Sequence, residues 1–384
     1  MIRLILLTDF TEGFAHYLLK GILAYSKDRE PWVVCKMPPS YKQRFGISGV
    51  LEWAQKWKAD AIIAQFDDFD RVELFKENGM VAIAQDFKSR FSTIPNITGA
   101  YYQTGKVAAD YFLEKGFKNF AFYGYKDVVW SAERCEGFKE QITKKGFGQN
   151  FQDYQHQELD DLWFYEIDSL CQWLVSLPKP VALMACDDNQ GNRITEACKI
   201  CNIRIPEEVA VLGVDNDELT CNLSDPSLSS VAMDIETAGS ETAGLIEKML
   251  HNPQNPYRDV VIQPKRIISR ESTNIYATGD IYILNALRFI HQHIDSKLNV
   301  NDIVKVVPLS RRLLEMRFKE ATGQSVYKYI FNLRMELLAQ ALIDTNDPIT
   351  DIAVAVGLSD CRNLSRQFRS IKGCTPLEYR RRNG

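Results

Sequence analysis

The chain has 384 residues, 45% hydrophobic and 25% charged, which suits two or three globular domains rather than one. No apolar run approaches the ~18 residues of a membrane span, so no membrane partner is expected. Charge is uneven: residues 281–384 hold 16 of the 46 Lys and Arg and 10 of the 50 Asp and Glu, leaving 30 against 40 elsewhere. A basic block on an acidic body points to a polyanion-binding module joined to a second function.

In chain order, short apolar runs rich in β-formers alternate with helical patterns. Strands are predicted at Ile2–Leu7, Ala61–Ala64, Val81–Gln85, 119–123, Val181–Ala185 and 209–214. Amphipathic patterns cover 105–114 and 189–201. The first run is too short for a signal-peptide core and is followed by no small-residue cleavage site, so the protein is expected in the cytoplasm. Alternating β and α elements predict an α/β fold with parallel sheets covered on both faces. In such sheets ligands bind beyond the carboxyl ends of the strands.

The loops at those ends are polar: Thr8 and Asp9, Gln65 and Asp67, Gln85 and Asp86, Asp187 to Asn189, and Asp215 to Asp217. No Gly-rich phosphate cradle is present, so no nucleotide cofactor is expected. Carboxylates and amides beside aromatics (Phe10, Phe66, Trp130) suit a polyhydroxylated ligand, whose hydroxyls both donate and accept. A single strand-end Asp more often caps a helix; five such loops together favour a site. Cys198 and Cys201 form a lone C-x-x-C with no second pair, and ordinary thiols rather than a metal site are expected. None of the five histidines sits in a nucleophile or metal constellation, so no enzyme is expected.

Residues 132–138 (AERCEGF), 185–193 (ACDDNQGNR), 205–217 (IPEEVAVLGVDND), 226–231 (PSLSSV) and 266–273 (RIISREST) resemble the inducer domain of the lactose-repressor family. The resemblance implies a two-lobed, periplasmic-binding-protein-like domain over residues 1–276. The chain would cross between lobes near 98–118 and 229–240, with a sugar in the cleft. It implies that Arg134, Asp187 and Asp215 hold the ligand from the second lobe. Asp9 and Asp67 are geometric candidates from the first. That family carries its DNA-reading headpiece before this domain; here the first strand starts at once, so the reader is expected elsewhere.

The carboxyl-terminal hundred residues contain a repeat. Residues 302–310 (DIVKVVPLS) return as 351–359 (DIAVAVGLS); Leu314, Phe318 and Gly323 then match Leu364, Phe368 and Gly373. Each copy reads as helix, turn, helix, with Ser310 and Ser359 as N-caps and the glycines as stops. Both second helices are basic, the form of a DNA reader. Apolar positions four apart must face the core. That turns Arg311, Arg312 and Glu315 outward in the first copy, and Cys361, Arg362, Ser365 and Arg366 in the second. Between the copies, Val326, Ile330, Leu333, Leu337 and Ala341 predict one long amphipathic helix. At ~27 Å it would set the two readers about one DNA turn apart. Residues 281–384 are therefore assigned to an all-α domain with two helix-turn-helix units.

The tail, with 352–359 and 368–380 (FRSIKGCTPLEYR), is similar to the arabinose-regulator (AraC) family. The joined arrangement, with Phe66 to Asp68, 120–124 and 215–220, resembles xylose-operon regulators. That resemblance implies D-xylose as ligand, with another pentose or hexose as the alternative, double-stranded promoter DNA and RNA polymerase as partners, homodimerisation, and activation of sugar-use genes when sugar is bound.

Overall fold

Strands covered on both faces read as near-continuous apolar runs, and those at 61–64 and 181–185 are apolar throughout. The computed structural model describes residues 1–383 apart from 28, 157–166, 253–256, 276–279, 297 and 359–362. The described residues form two units, Met1–Asn274 and Ile275–Gly384.

The first unit holds two sheets. One has the order β11-β5-β4-β3-β1-β2, built from β1 (Ile2–Leu7), β2 (Trp32–Met37), β3 (Ala61–Ala64), β4 (Val81–Gln85), β5 (Asn96–Gly99) and β11 (Val260–Ile262). All its pairings are parallel. Ile5, Leu7, Ile62 and Ala64 pack with Val50 and Ala54 of α2 (Pro39–Trp57) and Phe75 of α3 (Glu73–Glu77). The alternate residues Leu4, Leu6 and Ile63 are equally buried, so both faces are covered.

The other sheet has the order β12-β10-β9-β8-β6-β7, from β6 (Asn119–Tyr125), β7 (Phe151–His156), β8 (Val181–Ala185), β9 (Val209–Asp215), β10 (Ser229–Met233) and β12 (Pro264–Ile268). It is parallel except for β12, which runs antiparallel to β10. One face packs on α6 (Ile167–Ser176) and α7 (Asp188–Ile200). On the other, Phe120 meets Phe138 of α5 (Val129–Lys144), which meets Phe112 of α4 (Tyr101–Glu114). The chain passes between lobes after β5, after β10 and between β11 and β12, because β11 returns to the first sheet. Helix α1 (Gly13–Ser26) packs on α9 (Ile235–His251); the short α8 (Glu218–Leu223) follows β9.

The second unit is helical: α10 (Ile281–Gln292), α11 (Val300–Val306), α12 (Arg311–Thr322), α13 (Val326–Asp344), α14 (Ile349–Ala355), α15 (Leu364–Lys372) and α16 (Pro376–Asn383). It has two cores. Ile283, Leu287, Ile303, Leu314 and Phe318 share one with the start of α13, through Val326, Tyr329 and Ile330. Ile352, Leu364 and Phe368 share the other with its end, through Met335, Leu338, Ala339 and Leu342. At 100° per residue these two sets lie on opposite faces of α13. The predicted single stripe is therefore corrected: Leu337, on it, is 37% exposed.

Candidate functional site

Parallel strands bring their carboxyl-terminal loops to one edge, and here the two lobes turn those edges toward each other. The cleft between them is about 720 Å³ and is lined by all five sequence candidates, Asp9, Asp67, Arg134, Asp187 and Asp215 among others.

Arg134 is its centre. Its side chain is only 4% exposed and is carried on α5. Nη1 donates to the Cys186 carbonyl at 2.5 Å and Nη2 to Asp215 Oδ1 at 3.1 Å. The guanidinium lies against the rings of Tyr101 (5.1 Å) and Trp130 (5.4 Å). Its buried Nε–H finds no partner among the described residues, an unsatisfied donor beside the cleft.

Asp215 ends β9 with φ +97°, and Asn216 follows at +54°. Left-handed backbone at a non-glycine residue costs about 1–3 kcal/mol and concentrates at binding sites. Asp187 caps α7, accepting from Gln190 N at 2.7 Å. Burial pushes its carboxyl up to about 6, opposed by that N–H and assisted by the Asp215 charge. Asp188 is buried and accepts from Asp217 N at 2.7 Å. Asp217 reaches across the cleft to accept from Gly13 N at 2.8 Å.

The first-lobe candidates are more committed. Asp9 closes its own turn, Oδ1 accepting from the Thr11 N–H (2.8 Å) and hydroxyl (2.7 Å). Asp67 is paired with Lys42 at 2.8 Å, which also holds Asp70 at 2.7 Å. Lys42 comes from α2, where no strand-end signal could reveal it. Glu12, another lining residue, stands in the loop after β1, where no pattern in the sequence singles it out. Trp130 lines the cleft, whereas Phe66 packs on Phe75 and Phe91 in the core. Near the cleft, Arg90 grips Glu133 of α5 with two bonds, 2.6 and 2.9 Å. Cys198 is a buried thiol, and the Cys201 thiol donates to the Ala197 carbonyl.

In the second unit Ser310 caps α12, and Gly323 (φ +71°) and Gly373 (φ +75°) end α12 and α15. Arg311 and Arg312 are exposed on α12; Arg311 also donates to Asn301 Oδ1 at 3.3 Å. Glu315 is half-exposed on α12, and its Oε2 accepts from Val326 N at 3.2 Å, at the start of α13. Ser365 and Arg366 are exposed on α15, Arg366 donating to Asn363 Oδ1 at 3.1 Å. Ser359, Cys361 and Arg362 lie outside the described residues. Arg317 and Lys372 are paired with Asp280 and Glu336. Among the described residues, no helix is long and apolar enough to cross a membrane.

Known proteins match this division. A periplasmic binding protein-like domain matches residues 109–273 and a helix-turn-helix domain residues 303–382. The xylose operon regulatory protein of Escherichia coli (strain K12) is 25% identical over 98% of this chain and 96% of its own length. That of Haemophilus influenzae is 28% identical over 84% of each. The regulatory protein SoxS of Salmonella typhimurium is 35% identical over 26% of this chain and 94% of its own. The structure of a xylose-binding transcription activator superposes with a TM-score of 0.65 at 25% identity, covering 100% of this chain and 98% of that one. A LacI family regulator from Enterococcus faecium with bound ribose shares the first unit's fold at a TM-score of 0.58 and 18% identity, covering 72% of this chain and all of that one. These relatives are regulators, not enzymes. The chain joins a periplasmic binding protein-like domain to an AraC-type helix-turn-helix domain, and it is homologous over nearly its full length to the xylose operon regulatory proteins.

Proposed function

We propose that D-xylose is the ligand of the cleft and that its binding alters the grip of the second unit on promoter DNA, activating sugar-use genes. One observation carries this: a cleft of carboxylates around a buried arginine, on the same chain as a duplicated basic helix-turn-helix. The names of the long relatives supply the sugar. Arg134, Asp187 and Asp215 hold hydroxyls from the second lobe; Asp9 and Asp67 close from the first. Arg311, Arg312, Ser365 and Arg366 face DNA, with Cys361 and Arg362 beside them by sequence position. Glu315 joins them on the DNA-facing side of α12 while one of its oxygens holds the start of α13. The protein works in the cytoplasm as a homodimer and contacts RNA polymerase when it activates.

The sugar acts through its differential affinity for two conformations of the lobes. Calorimetry on the full chain with D-xylose, and with arabinose and glucose as controls, tests the ligand. Gel shifts on the chain's own promoter, with and without sugar, test the response. Binding of xylose with altered DNA occupancy is expected. Heat with another sugar alone replaces xylose, and heat with none removes the sensor reading.

A further inference from the structure

Glu12 stands at the cleft mouth as the N-cap residue of α1, yet its side chain makes no cap hydrogen bond. Ordinarily an N-cap side chain accepts from the N–H of the second or third helical residue. The Glu12 side chain does not, and it lines the cleft instead, next to Gly13, whose N–H is held by Asp217 from the opposite lobe at 2.8 Å.

The charged groups facing it share its sign: Asp9 from its own loop, Asp187 after β8, and Asp215 and Asp217 after β9. The cleft's cations have other partners. Lys42 holds Asp67 and Asp70, Arg134 holds Asp215 and the Cys186 carbonyl, and Arg193 reaches Gln190. His16, four residues along α1, lies against the Phe10 ring. By surface area Glu12 is exposed, but protein crowds it from both lobes. Lost hydration first, then the carboxylates of Asp187, Asp9, Asp215 and Asp217, raise its carboxyl to about 7.

We propose that Glu12 is a ligand-contacting carboxyl that takes a proton from solvent when sugar fills the cleft, so that sugar binding and proton uptake are coupled. The inference rests on the sugar-sensing reading above. A sugar displaces water from the hydrated side of Glu12, which further disfavours the anion. The protonated carboxyl can donate to one hydroxyl and accept from another. The proton comes from bulk water, and no other group is transferred.

The sign follows from linkage. A ligand that raises a carboxyl's pKa binds the protonated form more tightly. Affinity is therefore full below the empty-cleft value, about 7, and declines as pH rises through it toward the sugar-bound value. Each unit of rise is about tenfold in affinity.

The test is calorimetry of the full chain with D-xylose in buffers of different ionisation heat, across the range where Glu12 titrates. Arabinose and glucose serve if they are the binders. Uptake of a fraction of a proton is expected, largest just above the empty-cleft pKa, with affinity falling several-fold toward alkaline pH. Glu12→Gln, which keeps size and both hydrogen-bonding senses, is expected to bind sugar with that uptake gone and a flatter pH profile. Its sugar-free DNA binding checks the fold. Equal uptake in the variant would move the proton to Asp187 or Asp188 and overturn the assignment. Wild-type heat without uptake overturns this inference alone. Heat with no sugar overturns the sensor reading and this inference with it.

Discussion

Asp215 joins three properties in one residue: it ends a buried strand, adopts left-handed backbone, and binds the cleft's buried arginine. A hydrogen bond from a charged group contributes about 1.5–3 kcal/mol. Asp215→Ala is therefore expected to weaken sugar binding by roughly 10- to 150-fold while sugar-free DNA binding persists. Calorimetry on variant and wild type measures it; unchanged affinity would remove Asp215 from the site. On the DNA side, Arg312 is exposed at the second position of α12, where bidentate pairing with guanine is open to it. Arg312→Ala should cost about 1–3 kcal/mol on the specific site and relax one base position. An equal loss on every sequence would make it a phosphate contact. Strand-end carboxylates could be picked out because a β run ends abruptly in polar residues. Their commitments could not: the Asp9 turn depends on backbone angles, and the Asp67 ion pair depends on Lys42, which sits on a helix of another segment.

Elements legible in the sequence are those whose environment is uniform. β1, β3, β4 and β8 lie inside their sheets and are apolar but for Arg3 and the terminal Gln85, so even their ends could be read. β2, β7, β11 and β12 are edge strands. In β2, β7 and β12 a half-covered edge tolerates polar residues such as Lys36, Gln152 and Lys265, which erase the signal, whereas β11 is only three residues long. β5 and β10 lie one strand in from an edge, but Asn96, Thr98, Ser229 and Ser230 are buried there with hydrogen-bond partners and do not read as apolar. α13 hides its register differently, because each half answers to a different core. The α4–α5 pair shows what close packing demands. A Cβ at Gly137 would lie 2.0 Å from the Tyr102 carbonyl, and one at Gly105 would lie 2.1 Å from that of Arg134. Both neighbours are backbone, so a methyl group must push the helices apart. Gly137→Ala should therefore destabilise the first unit by about 1–3 kcal/mol and loosen the seat of Arg134. The expected reading is a lower unfolding temperature for the first unit together with weaker sugar binding. Wild-type values for both would show that the helices part freely.

At the scale of the whole molecule, charge and packing divide the chain at the same place. Residues from Ile275 onward have two hydrophobic cores of their own. They should fold without the first unit, provided the fragment keeps Asp280, which caps α10 and pairs with Arg317 at 3.1 Å. Residues 281–384 hold 16 Lys and Arg against 10 Asp and Glu, so the fragment carries the basic charge and the first unit the acidic. Phosphate contacts release counterions, and six or more of them weaken binding by about a thousandfold between 50 and 200 mM salt. A 275–384 fragment should thus shift its own promoter DNA specifically, with a steep salt dependence. It should ignore xylose at any concentration, because the cleft residues are all in the other unit. The first unit alone should bind sugar and not DNA. Circular dichroism first establishes that the fragment is helical; gel shifts over a salt series then measure binding. A helical fragment that binds only nonspecifically would mean that the paired basic helices do not suffice, and that the first unit, by dimerising, supplies the specificity.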